Sequence, residues 1–155
     1  MTGIHSRRFF YDAGEVLVAS AQRDRLTLTA AMLDMDFFKE VNDTYGHDGG
    51  DVVLKRISSL IRGIVRQTDV IARIGGEEFA ILAVNMEAES VPEFFEKLRL
   101  AIEAENIFFH GKRVPVTASI GVANGHGSDL AGMMRRADRM LYKAKENGRN
   151  RVEIT

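Results

Sequence analysis

The chain has 155 residues, enough for one domain with a sizeable core, and its 45% hydrophobic and 28% charged content fits a soluble globular protein. Lys and Arg total 21 against 22 Asp and Glu, so the net charge of −1 gives no global field favouring nucleic acid or an anionic membrane. The absence of cysteine excludes disulfides and thiolate metal sites and is compatible with a reducing cytosol. No apolar run is long enough to span a bilayer, and no signal peptide is expected.

In chain order, Ser6 is expected to cap a basic, amphipathic helix running to about Arg23. Leu26 to Asp34 reads as a first, buried strand that ends in Asp34-Met35-Asp36. A short helix from Phe37 to Thr44 follows, then a loop with Gly46, Gly49 and Gly50. Val53, Ile57, Leu60, Ile61 and Ile64 recur at helical spacing. Val70–Ile74 and Glu77–Val84 form a hairpin, its turn assigned to Gly75-Gly76 because a tight two-residue turn demands positive φ. Val91, Phe94, Phe95, Leu98 and Ile102 mark another helix. Ile107–His110 and Val114–Val122 read as strands, with Gly111-Lys112 between them. Ser128 or Asp129 caps a last helix with Leu130, Met133, Met134, Ala137, Leu141 and Ala144 on its core face; Gly148 stops it, and Arg151 to Ile154 is a closing strand. Hairpins mixed with helices predict an α+β fold: an antiparallel central sheet flanked by helices.

Two constellations carry chemistry. A strand ending at Asp34 and a hairpin placing Glu77 and Glu78 at its tip can bring Asp34 and Glu78 to a shared point. Mg²⁺ takes one or two protein carboxylates together with substrate phosphates. A charged hairpin tip is the plainer alternative for the glutamates. The combination is specific: D-x-D, then F-K-x-x-N-D-x-x-G-H-x-x-G-D through Asp51, then G-G-E-E-F from Gly75 to Phe79.

These blocks resemble the GGDEF domain, the diguanylate cyclase family. The resemblance covers essentially the whole chain and includes Thr2 to Phe9, Ser119 to Ala123 and Ala137 to Asn150. It departs from the usual pattern at Glu77, where the signature has Asp, and at Ser6, where Asn is usual; the Glu form is a permitted variant. The resemblance implies a fold like the polymerase palm and the adenylyl cyclase catalytic domain, with a ferredoxin-like core. It implies condensation of two GTP into cyclic di-GMP and two pyrophosphates by a homodimer, with Mg²⁺ (or Mn²⁺), two per active site. Residues 1–155 are expected to be one such domain, cytoplasmic and excised from a longer protein. An upstream sensor or dimerisation module, which could tether it to a membrane, is expected to precede it. No nucleic acid and no direct membrane contact are expected. The rival implied by the same family is a weak or inactive module that binds GTP or cyclic di-GMP.

Carried onto this sequence, the resemblance implies roles for individual residues. Asp34 and Glu78 are metal ligands, with the Met35 carbonyl as a third donor; Glu77 is either a further ligand or the group that helps deprotonate the 3′-hydroxyl. Lys39 meets the terminal phosphates with the backbone amides of Phe37 and Phe38, at a helix start where N–H groups point outward. Lys145 and Arg149 reach the same phosphates, although cations are favoured at any helix C-terminus. Asn42 and Asp51 fit guanine, whose N1–H and 2-amino group a carboxylate accepts, or else a turn residue and a helix cap. His47 lies near the ribose or organises the loop, and Asp36 stabilises the turn. Arg66 and Asp69, just upstream of Gly75, match an R-x-x-D product-inhibition site completed by Lys97 and Arg99; alone they would read as a helix-end salt bridge.

Overall fold

In a computed structural model, residues 4–125 and 129–155 are described. Thr2, Gly3 and the expected cap Ser128 lie outside them. The elements are β1 (His5–Ser6), α1 (Arg7–Asp24), β2 (Leu28–Met35), α2 (Phe38–Ile64), β3 (Val70–Arg73), β4 (Glu78–Val84), α3 (Ser90–Ala104), β5 (Phe108–Phe109), β6 (Lys112–Arg113), β7 (Ala118–Asn124), α4 (Leu130–Glu146) and β8 (Val152–Ile154). The sheet order is β1-β3-β4-β2-β7-β8, with β5 and β6 forming a separate small ribbon.

The fold is α+β, as the mixture of hairpins and helices predicts. The sheet is mostly antiparallel, but β1 pairs parallel to β3 and β8 parallel to β7 at its edges. The central strand β2 is buried along its whole length, with β4 and β7 on its two sides. Side chains alternate across it. Ala31, Leu33 and Met35 enter one core with α2 and α3; Ala30 and Met32 enter the other with α1 and α4. Asp34 shares the parity of Ala30 and Met32 and therefore faces the α4 layer.

Ser6 and Asp129 cap α1 and α4 by accepting from Phe9 N and Gly132 N. Strand β2 starts at Leu28 rather than Leu26, because Arg25 turns left-handed (φ 57) and the Leu26 amide returns to the Ala21 carbonyl, closing α1. The expected strand from Val114 begins only at Ala118. Val114 extends the β5–β6 ribbon by donating to the Ile107 carbonyl, and Pro115 has no amide for a ladder.

Two larger corrections concern glycines. The loop expected at Gly46, Gly49 and Gly50 is helical. The chain kinks only at Gly46 (φ 75, ψ 173) and α2 continues to Ile64. Gly75 and Gly76 do not take positive φ. Residues 74–77 instead make a wider connection in which the amides of Ile74 and Gly75 both donate to the Glu78 carbonyl. Arg73 Nε braces it by donating to the carbonyls of Gly75 and Gly76, at 3.2 and 2.9 Å.

Candidate active site

The C-terminal end of β2 is the origin of the site. Asp34 is the register partner of Glu78 on β4 and of Ser119 on β7. Directly opposed residues in an antiparallel pair share a face, so the Asp34 and Glu78 carboxyls project together towards α4. Glu77, one residue earlier, departs from that face, while its carbonyl accepts from the Met35 amide.

Helix α4 closes the site from above. A Cβ at Gly121 would stand 2.1 Å from the Leu141 amide nitrogen and 2.2 Å from the Ala137 carbonyl oxygen, so glycine there lets α4 lie directly on β7. That approach places Lys145 Nζ 2.6 Å from Asp34 Oδ2. Asp34 is nevertheless held above the ordinary carboxylate range, chiefly by burial; Lys145 opposes the shift and neighbouring Asp36 adds to it. Glu78 is also raised, first by burial and then by the charge of Asp34.

Asp36 has a different task. Its carboxylate is buried and accepts from Ser119 Oγ and Thr117 Oγ1, both at 2.7 Å, and from the Asn150 amide at 3.0 Å. These three bonds tie the turn after β2 to β7 and to the segment after α4.

Two adjoining clefts open here. The first, about 270 Å³, is lined by residues including Asp34, Met35, Lys39, Glu77, Lys145 and Arg149. The second, about 320 Å³, is lined by Asn42, His47, Asp51 and Arg73, among others. Phe38, Lys39 and Glu77 belong to both. Asn42 and Asp51 lie on either side of the Gly46 kink, and a Cβ at Gly50 would sit 1.9 Å from Asn42 Oδ1. Sequence reasoning missed Arg73; the available signal was its position immediately before Ile74-Gly75-Gly76.

A divalent cation fits this donor set. Asp34 and Glu78 offer two carboxylates whose ionised forms are disfavoured by burial, and a cation between them would relieve that. Among the described residues no group of three or more His, Cys, Asp or Glu side chains is assembled to hold a metal.

The R-x-x-D pair lies elsewhere. Arg66 grips Asp69 bidentately, Nε to Oδ2 at 3.1 Å and Nη2 to Oδ1 at 2.9 Å. Asp69 also accepts from the amides of Arg66 and Val84, and Arg66 Nη2 donates to the Val84 carbonyl. The Asp69 side chain is fully buried and that of Arg66 is 42% exposed. Arg66 and Asp69 line a groove of about 700 Å³ with α1 and the α2–β3 connection. Lys97 and Arg99 do not line it. Lys97 is exposed on α3, and Arg99 is committed to Glu96, Glu103 and Asn150. Within one chain the structure therefore brings Arg66 and Asp69 together and leaves Lys97 and Arg99 apart from them.

Among the described residues, no helix is long and apolar enough to cross a membrane.

The family model described as "Diguanylate cyclase, GGDEF domain" matches residues 1–151. The chain is 40% identical over 141 residues to Diguanylate cyclase A of Treponema denticola, covering 89% of this chain and 38% of that protein. It is 40% identical over 155 residues to Diguanylate cyclase DgcP of Pseudomonas aeruginosa, covering 99% and 23%. It thus spans less than half the length of either relative. Among solved structures, the GGDEF domain of DgcB from Caulobacter crescentus in complex with c-di-GMP superposes with a TM-score of 0.94 at 33% identity, covering 99% of this chain and 92% of that one. The active GGEEF domain of a diguanylate cyclase from Vibrio cholerae gives 0.90 at 34% identity, covering 97% of each. On the match of residues 1–151 and these relatives, the chain belongs to the diguanylate cyclase, GGDEF domain family.

Proposed function

We propose that this domain is a metal-dependent diguanylate cyclase that joins two GTP molecules into cyclic di-GMP and releases two pyrophosphates. The observation that carries the reading is the Asp34–Glu78 register pair beside two linked clefts, one lined by three cations and the other by Asn42 and Asp51.

Each of two equivalent steps forms a bond from a ribose 3′-oxygen to an α-phosphorus and breaks the bond from that phosphorus to the β-phosphate bridging oxygen. The hydroxyl proton departs and pyrophosphate leaves with the electron pair. Negative charge builds on phosphoryl oxygens, so catalysis is mostly positioning and electrostatic stabilisation. Lys39, Lys145 and Arg149, which line the first cleft, supply that stabilisation together with backbone amides of the first turn of α2, which have no intrahelical partners. Lys145 must exchange its bond to Asp34 for one to phosphate. Asp34 and Glu78, with the Met35 carbonyl, would hold Mg²⁺ or Mn²⁺, which when bound supplies Lewis-acid stabilisation of the α-phosphate and the leaving group. Glu77, which lines both clefts, either adds a ligand or receives the hydroxyl proton.

Guanine occupies the second cleft. Asp51 accepts from its N1–H and 2-amino group and Asn42 completes the edge, whereas adenine lacks both donors and leaves Asp51 unpaired. Each domain presents one triphosphate and one hydroxyl, so two copies face each other for the reaction. We further propose that product binds at Arg66, whose partly exposed guanidinium borders the 700 Å³ groove, and that Lys97 and Arg99 lie outside that site. Incubation with GTP and Mg²⁺ followed by chromatography tests the reading: cyclic di-GMP is expected, and GTP recovered intact despite binding would favour a nucleotide-binding module.

A further inference from the structure

Phe37 and Phe38 are adjacent but behave oppositely. Phe38 is 9% exposed and belongs to the core; Phe37 is 57% exposed. The Phe37 backbone is left-handed (φ 54), a conformation that disfavours a bulky side chain. It is fixed on both sides, since the Asp36 amide donates to the Thr117 carbonyl and the Val41 amide to the Phe37 carbonyl. Backbone strain of this kind persists only where the surroundings over-determine it. Arg149, on the far side of the first cleft, is also left-handed (φ 63). The next residue, Asn150, donates its amide to Asp36, the neighbour of Phe37. Two strained residues are thereby pinned to one buried carboxylate, and Arg149 Cζ lies over the Phe37 ring, 4.9 Å from its centroid.

We propose that the Phe37 side chain is a positioning residue for Arg149, holding its guanidinium at the mouth of the phosphate cleft through a cation–π contact. The choice of an aromatic partner has a chemical reason. A carboxylate would consume guanidinium donors, as Glu96 does for Arg99. A ring face attracts the charge and leaves all five N–H donors for phosphate. Lys145, by contrast, spends its ammonium on Asp34 until substrate arrives. The inference rests on the assignment of the first cleft to the GTP phosphates.

Two measurements test it. The Arg149 Nε–H proton resonance should carry an upfield ring-current shift that disappears in Phe37→Leu. Calorimetric GTP binding should weaken about two- to fivefold in Phe37→Leu, recover in Phe37→Trp, and show no further loss when Phe37→Leu is added to Arg149→Ala. An Arg149 resonance indifferent to Phe37→Leu, or an equal loss of affinity with and without Arg149, overturns the positioning role while leaving GTP binding intact. Wild-type protein that binds no GTP overturns the assignment of the cleft itself and the proposal with it.

Discussion

Lys145 Nζ and Asp34 Oδ2 stand 2.6 Å apart although 111 residues separate them in sequence. The bond joins the end of the central strand to the last turn of α4, and it lies at the rim of the first cleft. In the proposed reaction this ion pair exchanges partners: phosphate takes the ammonium and a divalent ion takes the carboxylate.

Among the described residues Glu78 makes no ion pair, and the charge of Lys145 offsets its burial only in part, which has a consequence for stability. Its carboxyl is raised in the folded protein, first by burial and then by Asp34. A raised carboxylate favours folding below its ordinary value of 4.5 and loses that contribution as pH rises through the higher folded value. Metal-free Glu78→Gln should therefore melt above wild type at pH 7, with the advantage fading as pH falls through the raised folded value and lost below about 4.5. Thermal melts in a chelator across this range check the sign; a variant less stable at pH 7 would contradict it.

Base recognition predicts a change in selectivity. Asp51→Ala should weaken GTP binding about 5- to 150-fold, the range for losing one or two hydrogen bonds between a carboxylate and the base, while ATP binding changes much less. Gly50→Ala should act in the same direction, because the added methyl displaces Asn42. Calorimetry with both nucleotides gives the ratio, and a constant GTP/ATP ratio would remove these residues from the base site.

Arg66 serves the fold as well as any product site. Arg66→Ala should lower stability by about 1–3 kcal/mol, since buried Asp69 keeps only the amides of Arg66 and Val84. The same variant should relieve inhibition by added cyclic di-GMP, and that inhibition should be non-competitive with GTP in the parent. Chemical denaturation and inhibition assays at fixed GTP separate the two effects.

The contact between α4 and β7 makes a fourth prediction. Gly121→Ala forces a methyl against backbone that has no rotamer to yield. It should cost about 1–3 kcal/mol or more and displace Lys145 from Asp34, lowering turnover beyond the stability loss. A variant with parental melting and turnover would show that α4 can shift freely.

The pairing of Asp34 with Glu78 was legible in the sequence because an apolar run followed by Asp34 and a second apolar run preceded by Glu77-Glu78 fix strand ends, and strand ends fix register. Helix α4 was equally legible from its apolar periodicity and Asp129. The details that escaped depend on tertiary contacts. Gly49 and Gly50 resemble loop residues but are helical, since their missing side chains admit Tyr45 and Asn42. Gly75-Gly76 matched a tight turn, yet Arg73 braces a wider one from outside the motif. Arg99 looked available for product, and only the folded chain reveals its bond to Asn150.

If Asp34 and Glu78 form a GTP-condensing centre, pyrophosphate release depends on both carboxylates. Pyrophosphate release from GTP and Mg²⁺, followed side by side in the wild type and a folded Glu78→Gln variant, tests it most directly. The account predicts two pyrophosphates per cyclic di-GMP in the wild type and a loss of at least about 100-fold in the variant, as expected for removing a group that stabilises phosphoryl transfer. Turnover in Glu78→Gln close to that of the wild type would contradict it.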